Sequence, residues 1–330
     1  MKLRNALSNL YRNITGKNYY NKIYHPFYNN AVPLSSDYPE VYNKYGQKME
    51  FFFLRDYITA HVPYLWKSNF FIWDRYNFEL KTQFYSHNSM LETMGNPDRR
   101  FGMLIESESI VPEDYKIFQK YKGLEKDFDL ILTYSDKILN TVSNARFVPF
   151  CAQVWYGFPQ GGGEISDETY KKKTKNISIV SSNKTLCELH IKRLSLAKEL
   201  QQNNKADAFG NFDGGKVVKI ADTLTNYRYS ICIENYISDY FFTERITNCF
   251  ASMTVPIYYG ANKISQFFNE DGIIILNSSD LNNIDNILSK CNEMDYEQRL
   301  PAIIDNFNRV KKYFNIDDYL YKIINNIKLD

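Results

Sequence analysis

Three consecutive residues late in the chain, Thr243-Glu244-Arg245, have types suited to holding an anion. They follow the stretch Tyr229-Ser-Ile-Cys-Ile-Glu234-Asn235-Tyr-Ile-Ser-Asp239-Tyr240-Phe-Phe, in which an apolar strand pattern runs into a polar loop before Thr243 and Glu244 open a helix. A helix start offers unpaired N–H groups and the positive end of the helix dipole, so a diphosphate suits it. Arg245 in the first turn can grip a phosphate at two points, and Glu244 can accept hydrogen bonds from ribose hydroxyls. The plainer reading is that Thr243 only caps the helix while Glu244 and Arg245 face solvent; residue types alone leave both readings open.

Other chemical signals are weaker. Asp127-Phe-Asp129 has the D-x-D spacing that many metal-dependent sugar transferases use, but Asp129 opens an apolar strand pattern and so short a motif carries little without context. His25, His61, His87 and His190 show no ligand spacing, which leaves a metal site and a Ser-His-Asp triad unsupported. Gly161-Gly-Gly163 and Gly214-Gly215 lack the spacing of nucleotide-binding glycine motifs and read as loops. Five cysteines, with no C-x-x-C pair, argue against a disulfide framework and point to a reducing compartment.

The elements that would position these residues alternate. Phe101-Gly-Met-Leu-Ile105 and Phe128-Asp-Leu-Ile-Leu-Thr-Tyr134 read as buried strands, and Pro112 to Lys122 between them has helical spacing at Tyr115, Phe118 and Tyr121. Strand, helix, strand implies a parallel sheet with ligands at the carboxyl ends of its strands, and Glu106 stands at such an end. Turn residues from Trp155 to Glu164 and a charge cluster from Lys171 to Lys175 mark a domain boundary.

Alternation then resumes with strands at 176–181, 206–210, 229–234, 255–260 and 272–276, and helices at 188–202 and 243–253. Amphipathic spacing over 305–328 predicts one or two closing helices. The aromatic opening, Tyr19 to Tyr45 and Phe51 to Phe53, reads mainly as core, with an acceptor surface as the alternative.

With 330 residues the chain suits two domains of roughly 150 residues each. Hydrophobic residues at 44% and charged residues at 24% describe a packed globular protein. A net charge of +2 gives no reason to expect a nucleic-acid partner. Met1-Lys-Leu-Arg-Asn-Ala-Leu lacks the apolar core of a signal peptide, and no stretch approaches ~18 apolar residues. The expectation is a cytoplasmic protein, with peripheral contact at the inner face of a membrane left open.

The run from Tyr227 to Phe268, including Ile233-Glu-Asn235, Tyr240-Phe-Phe-Thr-Glu-Arg245 and Val255-Pro-Ile-Tyr-Tyr-Gly260, resembles the C-terminal signature of glycosyltransferase family 10, the α-1,3-fucosyltransferase-like family. That signature is an apolar strand, Glu-Asn, an aromatic, Thr-Glu-Lys, a helix, and Val-Pro-aromatic-Gly. The resemblance implies that Glu234, Asn235, Tyr240, Thr243, Glu244 and Arg245 line a GDP-fucose site. Arg245 stands where the family usually has Lys; positive charge is kept, but the two side chains are not interchangeable.

Ser181-Ser182-Asn183-Lys184 followed by His190-Ile-Lys-Arg193 is similar to the family segment that carries a diphosphate-binding Arg, which implies donor contacts from Ser182, Asn183, Lys184 and Arg193. A solvated Arg193 on an amphipathic helix is the alternative. Ile105-Glu106-Ser-Glu108-Ser-Ile-Val-Pro112 resembles the family's strand-end glutamate, the general base. Glu106 directly follows the strand and fits better, with Glu108 as the alternative.

The resemblance further implies a GT-B-like α/β fold, two facing Rossmann-like domains with a central cleft, divided here into an acceptor-binding domain at 1–155 and a donor-binding domain with the C-terminal helices at 156–330. The implied reaction is inverting transfer of L-fucose from GDP-fucose to a hydroxyl of a surface glycan such as lipopolysaccharide, capsule or a related oligosaccharide. It needs no cofactor and no metal. The partners are the nucleotide-sugar donor and the glycan acceptor. A transferase for a different nucleotide-activated sugar, and a non-catalytic carbohydrate-binding protein on the same fold, are the alternatives.

Overall fold

Short, continuous apolar runs build most of two parallel sheets, as expected where both faces of a strand are covered. The computed structural model describes residues 40–56, 68–75, 77–159, 161–212, 214–215 and 218–329. The expectations for His25, His61 and the aromatic stretch from Tyr19 to Pro39 lie outside these residues. The chain folds as two units, one running to Phe150 and taking back Asn315–Asp330, the other spanning Cys151–Phe314.

The first unit carries β1 (Glu50–Arg55), β2 (Phe71–Asp74), β3 (Thr82–Ser86), β4 (Arg99–Leu104), β5 (Leu130–Thr133) and β6 (Ala145–Phe147). All pair in parallel, in the order β2-β1-β3-β4-β5-β6. The expected strands appear as β4 and β5. The expected helix between them is a 3-10 turn, Asp114–Lys116, running into the single turn α1 (Ile117–Lys120), with Tyr115 fully buried. After β5 comes α2 (Asp136–Thr141), capped by Ser135. Phe52 and Phe53 of β1 are wholly buried, so this part of the aromatic opening is core.

The second unit carries β7 (Lys175–Val180), α3 (Glu188–Gln202), β8 (Asp207–Phe209), α4 (Ile220–Leu224), β9 (Tyr227–Ile233), α5 (Glu244–Ala251), β10 (Val255–Tyr259) and β11 (Ile274–Ile275), then α6 (Asp285–Leu288), α7 (Glu293–Gln298) and α8 (Leu300–Val310). Its parallel sheet runs β11-β10-β9-β7-β8. Strand order reverses between β9 and β7, which opens a crevice beyond their carboxyl ends. Ile179, Ile231 and Ile257 fill the sheet's centre, with Leu200 of α3 and Phe307 of α8 in the same cluster.

The last helix, α9 (Ile316–Ile324), departs from the expected division. It belongs to the first unit, not to the unit that α8 closes. Asp318 accepts from Ser68 Oγ at 2.7 Å and Asn69 N at 2.8 Å, the Tyr321 ring stacks on Phe70 at 4.5 Å, and Arg99 Nη1 donates to Asn325 Oδ1 at 2.9 Å. Among the described residues no helix is long and apolar enough to cross a membrane.

Candidate active site

Beyond β7 and β9 lies a cavity of about 380 Å³, lined by Ser182, Arg193, Gly210, Glu244, Arg245 and Asn248, with Val180, Ile220 and Leu224 as an apolar wall. Gly210, directly after β8, makes the close approach possible: its φ is +105°, and a Cβ there would lie 2.0 Å from Ser181 O.

Arg193 projects from α3 and is only 2% exposed, so the solvated alternative does not hold. Its Nη1 donates to Ile233 O at 2.7 Å, while Nε is buried without a hydrogen-bond partner. Burial, and then the neighbouring Arg245 charge, bring its guanidinium down to about 9. An anion placed beside it would relieve both effects.

Arg245, in the first turn of α5, is held by Glu244 Oε1 at 3.0 Å and Thr243 Oγ1 at 3.3 Å. Burial opposes its charge, but the Glu244 and Glu234 carboxylates outweigh that and its pKa is raised. His190, one turn before Arg193, is pushed down to about 4 by burial and then by Arg193, Arg245 and Lys184. Arg193 and Arg245 at one cavity, one of them with an unused N–H, form a site built for a multiply charged oxyanion.

Thr243 does cap α5, its Oγ1 accepting from Arg245 N at 3.2 Å. It is itself gripped by Glu234, whose Oε1 accepts from Thr243 N at 2.9 Å and whose Oε2 accepts from Thr243 Oγ1 at 2.8 Å. Glu234 is completely buried, and burial raises its carboxyl to about 7 against the pull of Arg245. Both oxygens are therefore committed to positioning the helix start. Gly260 makes room for this, since a Cβ there would meet Tyr258 Oη at 2.2 Å and Glu234 Cγ at 2.7 Å.

The remaining expected donor residues stand outside the cavity lining. Asn183 and Lys184 are exposed on the loop after β7. Asn235 accepts from Cys187 Sγ through its carbonyl at 3.4 Å. The Tyr240 ring meets Phe267 edge-on at 6.2 Å, with Lys263 Nζ 5.3 Å from its centroid. Asn248 escaped the sequence reading: its Oδ1 accepts from Trp155 N at 2.7 Å and Tyr156 N at 2.9 Å, tying the start of the second unit to α5. A lone Asn inside an amphipathic helix gives no local sign of that role.

In the first unit Glu106 sits just past β4. Its backbone N–H donates to His87 Nε2 at 3.1 Å, its carbonyl accepts from Tyr115 Oη at 2.6 Å, and its Oε1 accepts from Ser107 N at 2.8 Å. Among the described residues no Lys or Arg pairs with its carboxylate. Glu108 differs: Lys137 Nζ lies 3.9 Å from its Oε1, and its amide donates to Tyr134 Oη at 2.9 Å. Asp129 serves the sheet, accepting from Arg100 N at 2.7 Å through Oδ2. Among the described residues no three His, Cys, Asp or Glu side chains gather as metal ligands.

Residues 170–319 match the family model described as glycosyltransferase family 10 (fucosyltransferase), C-terminal. Over these residues the chain carries a glycosyltransferase family 10 domain. The matched residues include Arg193, Glu234, Thr243, Glu244 and Arg245, so the cavity beyond β7 and β9 lies inside the matched domain. No curated protein matches the chain by sequence.

Among solved structures, the chain is similar to an α1,3-fucosyltransferase crystallised with GDP, at 12% identity and a TM-score of 0.50, over 85% of this chain and 91% of that one. It is also similar to Anabaena HepE in complex with UDP-glucose, at 10% identity and a TM-score of 0.51, over 75% of this chain and 78% of that one. At such identities the likeness is one of fold, and it identifies the two parallel α/β units of this glycosyltransferase as GT-B-like.

Proposed function

We propose that the protein transfers L-fucose from GDP-fucose to a hydroxyl of a surface glycan, with inversion at the anomeric carbon. The observation that carries this reading is the pair Arg193 and Arg245 at the cavity beyond β7 and β9, within the fucosyltransferase domain. The diphosphate lies against the two guanidinium groups and the start of α5. The apolar wall of Val180, Ile220 and Leu224 takes the flat nucleobase, and Glu244 accepts from ribose hydroxyls.

In the transfer, the Glu106 carboxylate removes the acceptor hydroxyl proton as that oxygen bonds to the anomeric carbon. The bond from that carbon to the β-phosphate oxygen breaks, its electron pair leaves with GDP, and the two arginines stabilise the charge. Glu106 is favoured over Glu108 because among the described residues no cation pairs with its carboxylate, and its backbone is held through both N–H and C=O. The acceptor domain is the first unit and the donor domain the second; the reaction takes place in the cytoplasm or at the inner face of a membrane.

Thermal unfolding with a panel of nucleotides tests the donor. GDP should protect the protein; protection by another nucleotide and not by GDP would reassign the sugar. Glu106→Gln should bind GDP normally and lose transfer, measured by mass spectrometry of products from GDP-fucose with candidate glycans. Full transfer by both Glu106→Gln and Glu108→Gln would remove the proposed base. GDP binding with no transfer from the unaltered protein to any glycan or to water would favour a non-catalytic binding protein.

A further inference from the structure

The residue that fixes Glu106 lies just past the end of the neighbouring strand β3 and is one of the histidines without ligand spacing. β3 pairs with β4 up to Ser86, opposite Met103, and β5 pairs with β4 up to Thr133, opposite Leu104. Past Leu104 the β4 chain has lost its ladder partners. Buried amides left unpaired destabilise the fold. His87 meets that need. Its φ is 52°, so the chain leaves the strand direction there, and the imidazole takes the place of the next ladder acceptor. Its Nε2 accepts from Ile105 N and from Glu106 N, at 3.1 Å each.

Because both neighbours of Nε2 are donors, that nitrogen carries its lone pair and the ring proton sits on Nδ1. Nδ1 lies 3.2 Å from Asp114 Oδ2, and the other oxygen of Asp114 is taken by Asn88 Nδ2. His87 is 1% exposed and Asp114 4%. On the far side of the same peptide, Tyr115 Oη and Tyr134 Oη lie 2.6 and 3.5 Å from Glu106 O. The backbone of Glu106 is thus fixed through its N–H and its C=O, while none of these groups uses the carboxylate.

We propose that His87, with its Nδ1 facing the Asp114 carboxylate, is the positioning residue for the general base: it sets where the Glu106 carboxylate stands without touching substrate. This rests on the reading of Glu106 as base. A left-handed backbone at a non-glycine residue is strained, and such strain persists where the surroundings enforce it. Here the enforced product is an acceptor placed against two amides.

The test uses the full chain with GDP-fucose, following GDP release with water as acceptor, and transfer once a glycan acceptor is known. His87→Gln places an amide oxygen where Nε2 stood; His87→Asn places it about one bond short; His87→Leu supplies none. We expect His87→Leu and His87→Asn to lose roughly 100-fold in kcat, the penalty of a displaced catalytic group. KM for GDP-fucose and thermal protection by GDP should stay unchanged, and His87→Gln should recover most of the rate. Wild-type kcat in His87→Leu, or an equal fall in His87→Gln and His87→Asn, overturns the proposal. Should His87→Leu fail to fold by circular dichroism, the Gln and Asn pair decides alone. A Glu106→Gln variant run alongside separates the two ideas. If it keeps the wild-type rate, the base assignment fails and this proposal with it; if it is inactive while all His87 variants are active, only the positioning role fails.

Discussion

Arg193→Met removes a buried charge while keeping most of its volume, and the structure says what that should do to folding and to donor binding separately. Without nucleotide the guanidinium is lowered from its usual value to about 9, first by burial and then by Arg245. At 1.36 kcal/mol per unit, this bounds the cost of the charged form at about 5 kcal/mol for any pH below about 9. The sign follows from the direction: a cation lowered in the fold weakens it while protonated in both states, and the penalty fades only as pH rises above about 9 toward the ordinary guanidinium value. Water in the cavity keeps the real cost below that bound. Against it stand the lost hydrogen bond to Ile233 O and the carbonyl left unpaired, together about 2–4 kcal/mol.

The empty variant should therefore be about as stable as wild type, or more so. With nucleotide the order reverses. GDP at a hundred times its dissociation constant adds about 2.7 kcal/mol to the wild type. Losing a charge-assisted contact worth about 1.5–3 kcal/mol leaves the variant only about 0.3–1.4 kcal/mol of GDP stabilisation at the same concentration. Urea unfolding with and without GDP measures both. A variant destabilised by more than about 2 kcal/mol when empty, yet stabilised by GDP as wild type is, would show that Arg193 serves the fold and not the ligand.

Two further outcomes follow from the same site. Glu234 has its carboxyl raised to about 7 from 4.5 by burial, so its contribution to stability is full below about 4.5 and is lost as pH rises to about 7. Relative to the non-titrating Glu234→Gln, wild-type stability in urea should fall by up to about 3 kcal/mol across that window and stay level above pH 8; a difference independent of pH would refute the raised, buried carboxyl. Gly210→Ala puts a Cβ 2.0 Å from Ser181 O at a φ of +105°, so it should cost roughly 2–4 kcal/mol and abolish thermal protection by GDP. Wild-type protection in that variant would mean the cavity is not the nucleotide site.

Much of the second unit was legible because its elements are written locally. The helix over 188–202 is found as α3 with the same bounds, and the strands at 176–181, 206–210 and 255–260 differ by one residue at one or both ends. β11 keeps only two residues of the expected 272–276. β3 was not foreseen: Thr82-Gln83-Phe84-Tyr85-Ser86 mixes polar and apolar residues, yet Gln83 is fully buried because Phe78 O and Tyr85 Oη satisfy its amide. The charge cluster Lys171 to Lys175 read as a solvated boundary, but Lys173 is buried, its Nζ donating to Leu224 O, Ser252 O and Thr254 Oγ1. The acceptors lie 51 to 81 residues away, beyond any local pattern.

The amino-acid order by itself determined the alternation of strand and helix, the cap at Thr243 and the presence of Arg245 in the first turn of α5, since each depends on residues within one or two turns. Only the tertiary structure decided what those groups do. It turned both oxygens of Glu234 onto Thr243, buried Arg193 against Ile233, set His87 against the amide of Glu106, and returned α9 to the first unit. A side chain's periodicity reveals that it is buried, but its hydrogen-bond partner is fixed by which strand ends the sheet brings together. Those ends are neighbours in space and strangers in sequence.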